Sequence, residues 1–295
     1  MKTVFIILHY QNIDDTINCI ESIKKLDNLD ESSYNIIVVD NKSPNGTGNM
    51  LKDKYIDESG IEVILLDKNY GFSKANNIAY EKAITYNPDI IMVLNNDIIF
   101  EDTLFLSKLI ERYDSPEKYD IICPDIINLN GMHQNPLRDT EITLKKAYKN
   151  MIYEMFFSII MVIPGLRKLF LEKRNKREEK WFDTYYSTKK ENNINDFVPF
   201  GAFLIYMNNW LQKENIAFVS DTFMYCEEDM LSLYIRKNKY KILYAEELKV
   251  KHLEGQSTKK SNKNEYKTMK FKSENKARAL RKYIKFYKEI KRKGK

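Results

Sequence analysis

Apolar runs alternate with amphipathic segments through the first 113 residues. Four short runs rich in Val, Ile and Leu predict strands at residues 4–8, 36–39, 63–66 and 90–94. Apolar residues at helical spacing predict helices at residues 14–26, 48–57, 73–86 and 102–113. Repeated strand–helix units with continuously apolar strands predict an α/β fold with a mostly parallel central sheet flanked by helices.

Polar residues follow three of these predicted strands. Asp40, Asn69 and Asp97 each come just after an apolar run. Ligands of parallel sheets bind at the carboxyl ends of the strands. We therefore expect these three side chains to contribute to one shared site.

The pattern changes in the second half of the chain. Residues 138–192 are helical, basic and partly apolar, whereas residues 197–205 predict a return to the sheet. A helix at 228–236, a strand at 241–244 and a charged helix at 265–291 follow. We expect four segments, at residues 1–130, 131–194 (a helical insertion), 195–260 and 261–295 (a basic helical tail).

Charge is distributed unevenly along the chain. The total is +6, but residues 262–295 hold fourteen Lys/Arg and three Glu, a local +11 that leaves about −5 for the rest. Such a tail suits anionic lipid headgroups or nucleic acid, and a solvated basic helix is the plain alternative.

The cysteine and targeting signals favour a reducing compartment. Cys19, Cys123 and Cys226 are far apart and form no CxxC pair, so neither a disulfide framework nor a zinc site is indicated. The first apolar run is followed by no small-residue cleavage site, which argues against a signal peptide. We expect a cytoplasmic location, with contact to the inner face of the cell membrane as an open alternative.

Residues 151–170 raise the question of membrane contact. Their apolar centre at 155–163 is too short to cross a bilayer, which takes about 20 residues. Basic residues follow it at positions 167, 168, 173, 174, 176 and 177. This pattern suits a helix in a membrane interface and equally a buried helix of an insertion.

Asp97 and His252 are candidate metal ligands. Asp97 ends an apolar run, and a carboxylate there suits a hard cation such as Mg²⁺ or Mn²⁺. His252 adds an imidazole, which Mn²⁺ also accepts. Read singly, Asp97 is also typical of a capping residue and His252 of a surface histidine.

The acidic run Glu227-Glu228-Asp229 opens a predicted helix. Carboxylates at a helix N-terminus are favoured by the helix dipole, which alone accounts for the run. A carboxylate buried near other acids also has a raised pKa and suits a general base. Glycine-rich phosphate loops are absent from the sequence, whereas residues 69–73 predict a turn into a helix where N–H groups can meet a phosphate or nucleoside.

Taken together, these motifs resemble those of family 2 glycosyltransferases. They occur in that family's order at residues 39–41 (VDN), 69–77 (NYGFSKANN), 94–97 (LNND), 201–203 (GAF), 225–229 (YCEED) and 250–257 (VKHLEGQS). The chain looks most like the branch with rhamnosyl- and galactofuranosyltransferases of bacterial surface polysaccharides, over about residues 1–130 and 195–260. The resemblance implies a GT-A-type, Rossmann-like fold and an inverting single displacement.

The resemblance also implies a role for each matching residue. Asp40 matches the acid that reads the nucleotide base, and Asp97 with His252 matches the metal ligands. Asn95 stands at the first position of the D-x-D-like motif and is not an acid, which implies weaker metal affinity. Further donor-side matches are Tyr10, Asn69, Gly71 and Asn96, and acceptor-side matches are Gly201 and Ala202.

The general base falls in the acidic run. Ungapped alignment of residues 223–237 with the family pattern places its usual base at Glu228. Asp229 then stands at a variable position and is the second candidate. Met230 replaces the later acid of the pattern.

We therefore expect a metal-dependent glycosyltransferase with Mn²⁺ or Mg²⁺ as cofactor. Its expected partners are a UDP- or dTDP-sugar, a lipid-linked saccharide acceptor and an anionic membrane, without nucleic acid. A sugar nucleotidyltransferase is disfavoured because residues 8–11 lack its glycine-rich basic loop. An inactive donor-binding scaffold and a nucleic-acid-binding tail are the remaining alternatives.

Overall fold

The computed structural model describes residues 1–29, 34–187, 197–219, 221–254 and 265–292. Within them the strands are β1 (Thr3–His9), β2 (Tyr34–Asp40), β3 (Ile61–Leu65), β4 (Ile90–Asn95), β5 (Ile98–Ile99), β6 (Ile121–Asn128), β7 (Phe203–Met207) and β8 (Ile242–His252). The helices are α1 (Ile13–Ile23), α2 (Thr47–Lys54), α3 (Phe72–Ile84), α4 (Phe105–Asp114), α5 (Leu144–Ile160), α6 (Pro164–Ser187), α7 (Asn208–Leu211), α8 (Glu227–Asn238) and α9 (Glu265–Arg292).

The described strands form one eight-stranded sheet in the order β3-β2-β1-β4-β7-β6-β8-β5. Strands β1 to β4 pair in parallel, as the sequence predicted. Beyond them the sheet is mixed, because β7 runs antiparallel to both β4 and β6, and β5 runs antiparallel to β8. Strands β6 and β8 pair in parallel again, so parallel pairing predominates among the described strands, as the sequence predicted.

Alternating residues of the parallel strands pack against helices on both faces of the sheet. Phe5 and Ile7 face a cluster that includes Ile20 of α1 and Leu109 of α4. Val4 and Ile6 face a second cluster, which includes Tyr80 of α3, Trp210 of α7 and Leu231 of α8. Burial on both faces explains why these strands are continuously apolar in sequence.

Strands of the second half differ from the sequence prediction. Strand β6 lies in the middle of the sheet but was not predicted, since Pro124 interrupts its apolar run and proline disfavours a central strand. The sheet accommodates Pro124 through a register shift between Pro124 and Asp125. The strand expected at 197–205 begins only at Phe203 and continues to Met207 as β7. The strand expected at 241–244 begins at Ile242 and extends through His252.

Helices α5, α6 and α9 form a layer beside α8. Ala147 of α5 packs with Leu280 and Tyr283 of α9 in a cluster that also holds Cys226 and Met230. The Tyr283 hydroxyl donates to the Ile142 carbonyl at 2.5 Å. The insertion and the basic tail are therefore joined, although they are distant in sequence. No described helix combines the length and apolar content that a membrane crossing requires.

Candidate active site

Strands β1, β2 and β4 end side by side. His9 pairs with Asp40, and Leu8 pairs with Asn95. This register brings Tyr10, which follows β1 and is exposed, to the same edge as Asp40 and Asn95. Asp40, one of the three residues expected to share a site, therefore lies beside Asn95, and the shared site itself stays a prediction.

Asp40 is buried and held in one orientation. Its carboxylate accepts from the Ser43 backbone N–H at 3.1 Å (Oδ1) and 3.2 Å (Oδ2), and from Ser43 Oγ at 2.5 Å (Oδ1). Gly48 packs against it so closely that a Cβ there would lie 2.1 Å from Asp40 Oδ2. A carboxylate has about four lone-pair sites, so Asp40 keeps capacity for a ligand.

The 69–73 turn joins the end of β2 to the loop before α8. Asn41 Oδ1 accepts from the Tyr70 N–H at 2.8 Å, and Asn69 Oδ1 accepts from the Gly71 N–H at 2.9 Å. Gly71 has φ +81°, and a Cβ there would lie 2.1 Å from the Phe223 carbonyl oxygen. Only glycine permits both this backbone conformation and this close approach.

Asn96 and His9 fasten the start of α1. Asn96 Nδ2 donates to the Asn12 carbonyl at 3.2 Å and to Thr16 Oγ1 at 2.9 Å. His9 Nδ1 contacts Thr16 Oγ1 at 2.7 Å, and its Nε2 contacts Thr47 Oγ1 at 2.9 Å. Burial lowers the pKa of His9 to about 4, so the imidazole is neutral at pH 7. Sequence reasoning passed over His9, because its partners become neighbours only on folding.

Asp97 and His252, the predicted metal ligands, lie together. Ile98 of β5 pairs with His252 of β8, and the Leu253 N–H donates to the Asp97 carbonyl at 3.0 Å. His252 Nε2 is 3.2 Å from Asp97 Oδ1. Antiparallel pairing thus joins two residues that are far apart in the sequence.

A relay of side chains orients the His252 ring. His252 Nδ1 lies 2.7 Å from Gln134 Oε1, and Gln134 Nε2 donates to Glu254 Oε1 at 2.5 Å. Because Gln134 donates through its nitrogen, its oxygen accepts, and Nδ1 of His252 must carry the hydrogen. In a neutral imidazole, Nε2 then presents its lone pair to Asp97. Sequence reasoning missed Gln134, which carries no motif.

The donor set fits a divalent cation. Two electron-pair donors 3.2 Å apart attract each other only when a proton or a cation lies between them. Two ligands at right angles, each about 2.1 Å from a metal, are themselves about 3 Å apart. Within the described residues no group of three or more His, Cys, Asp or Glu side chains could hold a metal. A cation here would therefore take its remaining oxygen ligands from water or from a bound diphosphate.

The acidic run forms the first turn of α8. Tyr225 and Cys226 precede it with φ +74° and +65°, a left-handed conformation that costs non-glycine residues energy. Glu227 is buried, and burial together with the Glu228 charge raises its pKa to about 8. Glu228 is partly exposed, and burial of its carboxyl group, with a smaller effect of Asp229, raises its pKa.

Asp229 is bonded through both carboxylate oxygens to another segment of the chain. Its Oδ2 is 2.6 Å from Arg138 Nη2, and its Oδ1 accepts from the Ile142 N–H at 2.9 Å. Both partners belong to the segment before α5. Asp229 therefore ties α8 to that segment, and sequence reasoning identified neither partner.

The loop at residues 200–202 touches all three parts of the site. The Phe200 ring lies edge-on to His252 with centroids 5.9 Å apart. A Cβ on Gly201 would lie 3.2 Å from Glu228 Oε1. The Ala202 carbonyl accepts from the Asn95 N–H at 2.9 Å. Three consecutive residues thus connect the predicted metal-ligand pair, the acidic run and the strand ends.

A groove of about 320 Å³ lies between α9 and the loop before α8. Phe223 and Phe271 meet edge-on in it at 6.3 Å. Its remaining lining residues are Thr222, Asn275, Arg278, Ala279 and Lys282.

Comparison with known proteins identifies the family. The model for glycosyl transferase family 2 matches residues 4–213, most of the chain. The chain belongs to this family. The resemblance to family 2 glycosyltransferases seen in the sequence motifs is thereby confirmed. A search of curated proteins finds no match.

Solved structures confirm the GT-A glycosyltransferase fold. S. aureus TarS 1–349 in complex with UDP-GlcNAc matches with a TM-score of 0.53 and 15% identity, over 89% of this chain and 62% of that one. The mannosyltransferase PcManGT from Pyrobaculum calidifontis, in complex with GDP-Man and Mn²⁺, matches with a TM-score of 0.52 and 11% identity, over 90% of this chain and 59% of that one. The chain thus spans about three fifths of the length of these structures.

Proposed function

We propose that the protein is an inverting glycosyltransferase that moves a sugar from a UDP- or dTDP-sugar to a saccharide acceptor. The observation that carries this proposal is the 200–202 loop, whose three residues contact His252, Glu228 and Asn95. The sugar donor, the cation and the general base must lie within a few ångströms of one another for transfer. Contacts of this loop with all three proposed groups support such an arrangement. Membership of family 2 supports the reaction class.

The donor-side half of the site is residues 1–130 in this proposal. Asp40 accepts hydrogen bonds from the nucleotide base, with Tyr10, Asn69, Gly71 and Asn95 beside it. Asn96 acts through the start of α1, since its amide already donates there. Structural neighbours named as complexes with UDP-GlcNAc and with GDP-Man support a nucleotide-sugar donor.

Asp97 and His252 are the proposed ligands of Mn²⁺ or Mg²⁺. When bound, the cation neutralises charge on the diphosphate leaving group. Gln134 holds His252 in the tautomer whose Nε2 can coordinate. The Mn²⁺ named in the PcManGT complex agrees with this choice of ion.

Glu228 is the proposed general base. It takes the proton of an acceptor hydroxyl while that oxygen attacks the anomeric carbon and the glycosyl–phosphate bond breaks, releasing the nucleoside diphosphate. Attack opposite the leaving group inverts the anomeric configuration. Because the pKa of Glu228 is raised, transfer should fall as the pH drops through that pKa and the base becomes protonated. Asp229, the second candidate, is less suited because Arg138 and Ile142 occupy its oxygens.

The proposed acceptor is a lipid-linked saccharide of bacterial capsule, O-antigen or wall synthesis. Gly201 and Ala202 face it, within the acceptor half at residues 195–260. The acceptor would bind in the groove between α9 and the loop before α8. There Phe223 and Phe271 would stack against sugar rings, and the exposed Arg278 would bind a phosphate. The sugar transferred would be a rhamnosyl, galactofuranosyl or other hexosyl group.

The test is release of nucleoside diphosphate from a panel of UDP-, dTDP- and GDP-sugars, with Mn²⁺ and a lipid-linked saccharide extract. Acceptor-dependent release with a UDP- or dTDP-sugar, absent in Glu228→Gln, is the expected result. Nucleotide binding without turnover for any donor would contradict the proposal and favour a donor-binding scaffold.

A further inference from the structure

An apolar patch covers the outward side of the α5–α6 pair. Its members are Ile152, Met155, Phe156, Ile159, Val162, Ile163, Leu166 and Leu169. They are eight of the seventeen large apolar side chains that stand exposed among the described residues. Exposed apolar side chains scattered singly need no explanation, but a contiguous set of this size marks an interaction surface.

The inner side of the same helices is already packed. Phe157, Ile160, Met161 and Leu171 form a small core. The buried Glu154 carboxylate is paired there with Arg174 at 3.0 Å and with Lys276 at 3.4 Å. The pair thus keeps charges inside while large apolar groups point outward, the reverse of an ordinary helix at a protein surface.

Basic side chains surround the patch. Lys145, Lys146 and Lys149 are exposed before it, and Lys168, Lys173 and Lys176 are exposed along α6. Between residues 143 and 176 the exposed acids amount to Glu172 alone. An apolar face bordered by lysines matches an anionic lipid surface. A two-fold contact with a second copy of this chain would instead oppose these lysines to one another.

We propose that the α5–α6 patch docks the protein onto an anionic membrane, with its apolar side chains in the headgroup region. The inner part of α5 packs in the cluster that contains Cys226, next to the acidic turn of α8. Helix α5 has 17 residues and is about 25 Å long. Docking would hold the start of α8 within about that distance of the membrane, where a lipid-linked acceptor lies.

Vesicle co-sedimentation of the full chain tests this proposal without any sugar substrate, so its outcome is separate from that of the proposed activity. Vesicles of phosphatidylcholine alone are compared with vesicles in which about one third is phosphatidylglycerol. Wild type should bind the anionic vesicles preferentially and less at high salt. Ile152→Ser/Ile159→Ser should lower the bound fraction about tenfold or more, because two side chains exposed by 63% and 60% lose their apolar contact.

The matched control is Met50→Ser/Ile56→Ser, which changes two comparably exposed apolar side chains on and after α2. It should bind as wild type does, and both double variants should keep the wild-type melting temperature. Equal binding by the two double variants, or no binding by wild type, would overturn the proposal. So would sedimentation as a dimer that the Ile152→Ser/Ile159→Ser variant abolishes, since the occupant would then be a second copy.

Discussion

The proposed donor half of the site (residues 1–130) and its proposed catalytic half (His252 and the acidic run at 227–229) differ in the contacts that fix their side chains. Asp40 is fixed by Ser43, three residues away, and Gly71 by Asn69, two residues away. In the catalytic half, His252 is fixed by Gln134 across 118 residues, and Asp229 by the Ile142 N–H across 87. Local turns therefore fix Asp40 and Gly71 in the donor half, beside long-range bonds such as Asn96 to Thr16 across 80 residues, whereas long-range contacts fix His252 and Asp229.

Both halves contain non-glycine residues in the left-handed conformation, with Gln11 and Lys42 after β1 and β2 and with Tyr225 and Cys226 before α8. Tyr225 and Cys226 adopt left-handed conformations in succession, at a cost of about 1 kcal/mol or more each. Packing of Cys226 against α5 and α9 offsets that cost. In the catalytic half, we therefore expect substitution of a reacting group to lower activity and leave stability unchanged. Substitution of a residue that bonds to a distant segment should mainly lower stability.

The largest effect is expected for Glu228→Gln. Removing the proposed base should lower kcat about 10²–10⁴-fold and leave donor binding unchanged. Glu227→Gln is the matched control, because the raised pKa of about 8 keeps Glu227 largely protonated at pH 7 and glutamine resembles that form. Steady-state kinetics with the identified donor checks both variants. Equal losses in the two variants would contradict the assignment of the base.

Asp229→Asn should show the opposite balance between stability and rate. The substitution removes the ion pair of the Arg138 guanidinium, which should lower the free energy of unfolding by about 2–4 kcal/mol. This loss is smaller than for a fully buried pair because Arg138 is partly exposed. Urea unfolding measures this loss. Glu247→Gln, which breaks an exposed pair with Arg112, should cost less than about 1 kcal/mol. A stable but inactive Asp229→Asn protein would transfer the base role to Asp229.

The buried Glu227 should make stability depend on pH. Its pKa is about 8 in the folded protein and 4.5 ordinarily, so the folded state binds more protons between these values. Its contribution to stability is therefore present below pH 4.5 and is lost as the pH rises towards 8. Glu227→Gln cannot ionise, so it should gain stability relative to wild type by up to about 1.4 kcal/mol per pH unit. Unfolding at pH 5 and pH 8 checks this, and a constant difference between the two proteins would be evidence against the raised pKa.

His9 affects the pH dependence of stability in the opposite direction, but its effect cancels when Glu227→Gln is compared with wild type. Its pKa is lowered to about 4, so its contribution to stability is lost as the pH falls below 6.5. Both proteins contain His9, and its effect cancels in their difference.

The sequence predicted the strands and helices of the first half well because their signals are local. Buried parallel strands appear as apolar runs, and polar residues just after those runs mark the ligand edge of the sheet. The paired strand ends at His9 with Asp40 and at Leu8 with Asn95 follow from that pattern.

The rest depended on partners that no local pattern reveals. Strand β6 escaped prediction because Pro124 breaks its run and a register shift absorbs the proline. Gln134, Arg138 and His9 act only through residues that folding brings near them. The packing of the insertion against the tail likewise joins segments with no shared motif.

The proposed function requires one site that binds a nucleotide together with a cation. Thermal stabilisation by UDP, dTDP and GDP, each with and without Mn²⁺, tests this most directly in wild type, in Asp97→Asn and in a control. The control is His133→Asn, which changes an imidazole whose Nδ1 lies 2.8 Å from Asp125 Oδ2. We predict that UDP or dTDP raises the melting temperature by about 5 °C at a hundredfold excess over Kd. Mn²⁺ should add to that shift in wild type and His133→Asn but not in Asp97→Asn. No shift with any nucleotide, or an undiminished Mn²⁺ effect in Asp97→Asn, would contradict the shared site.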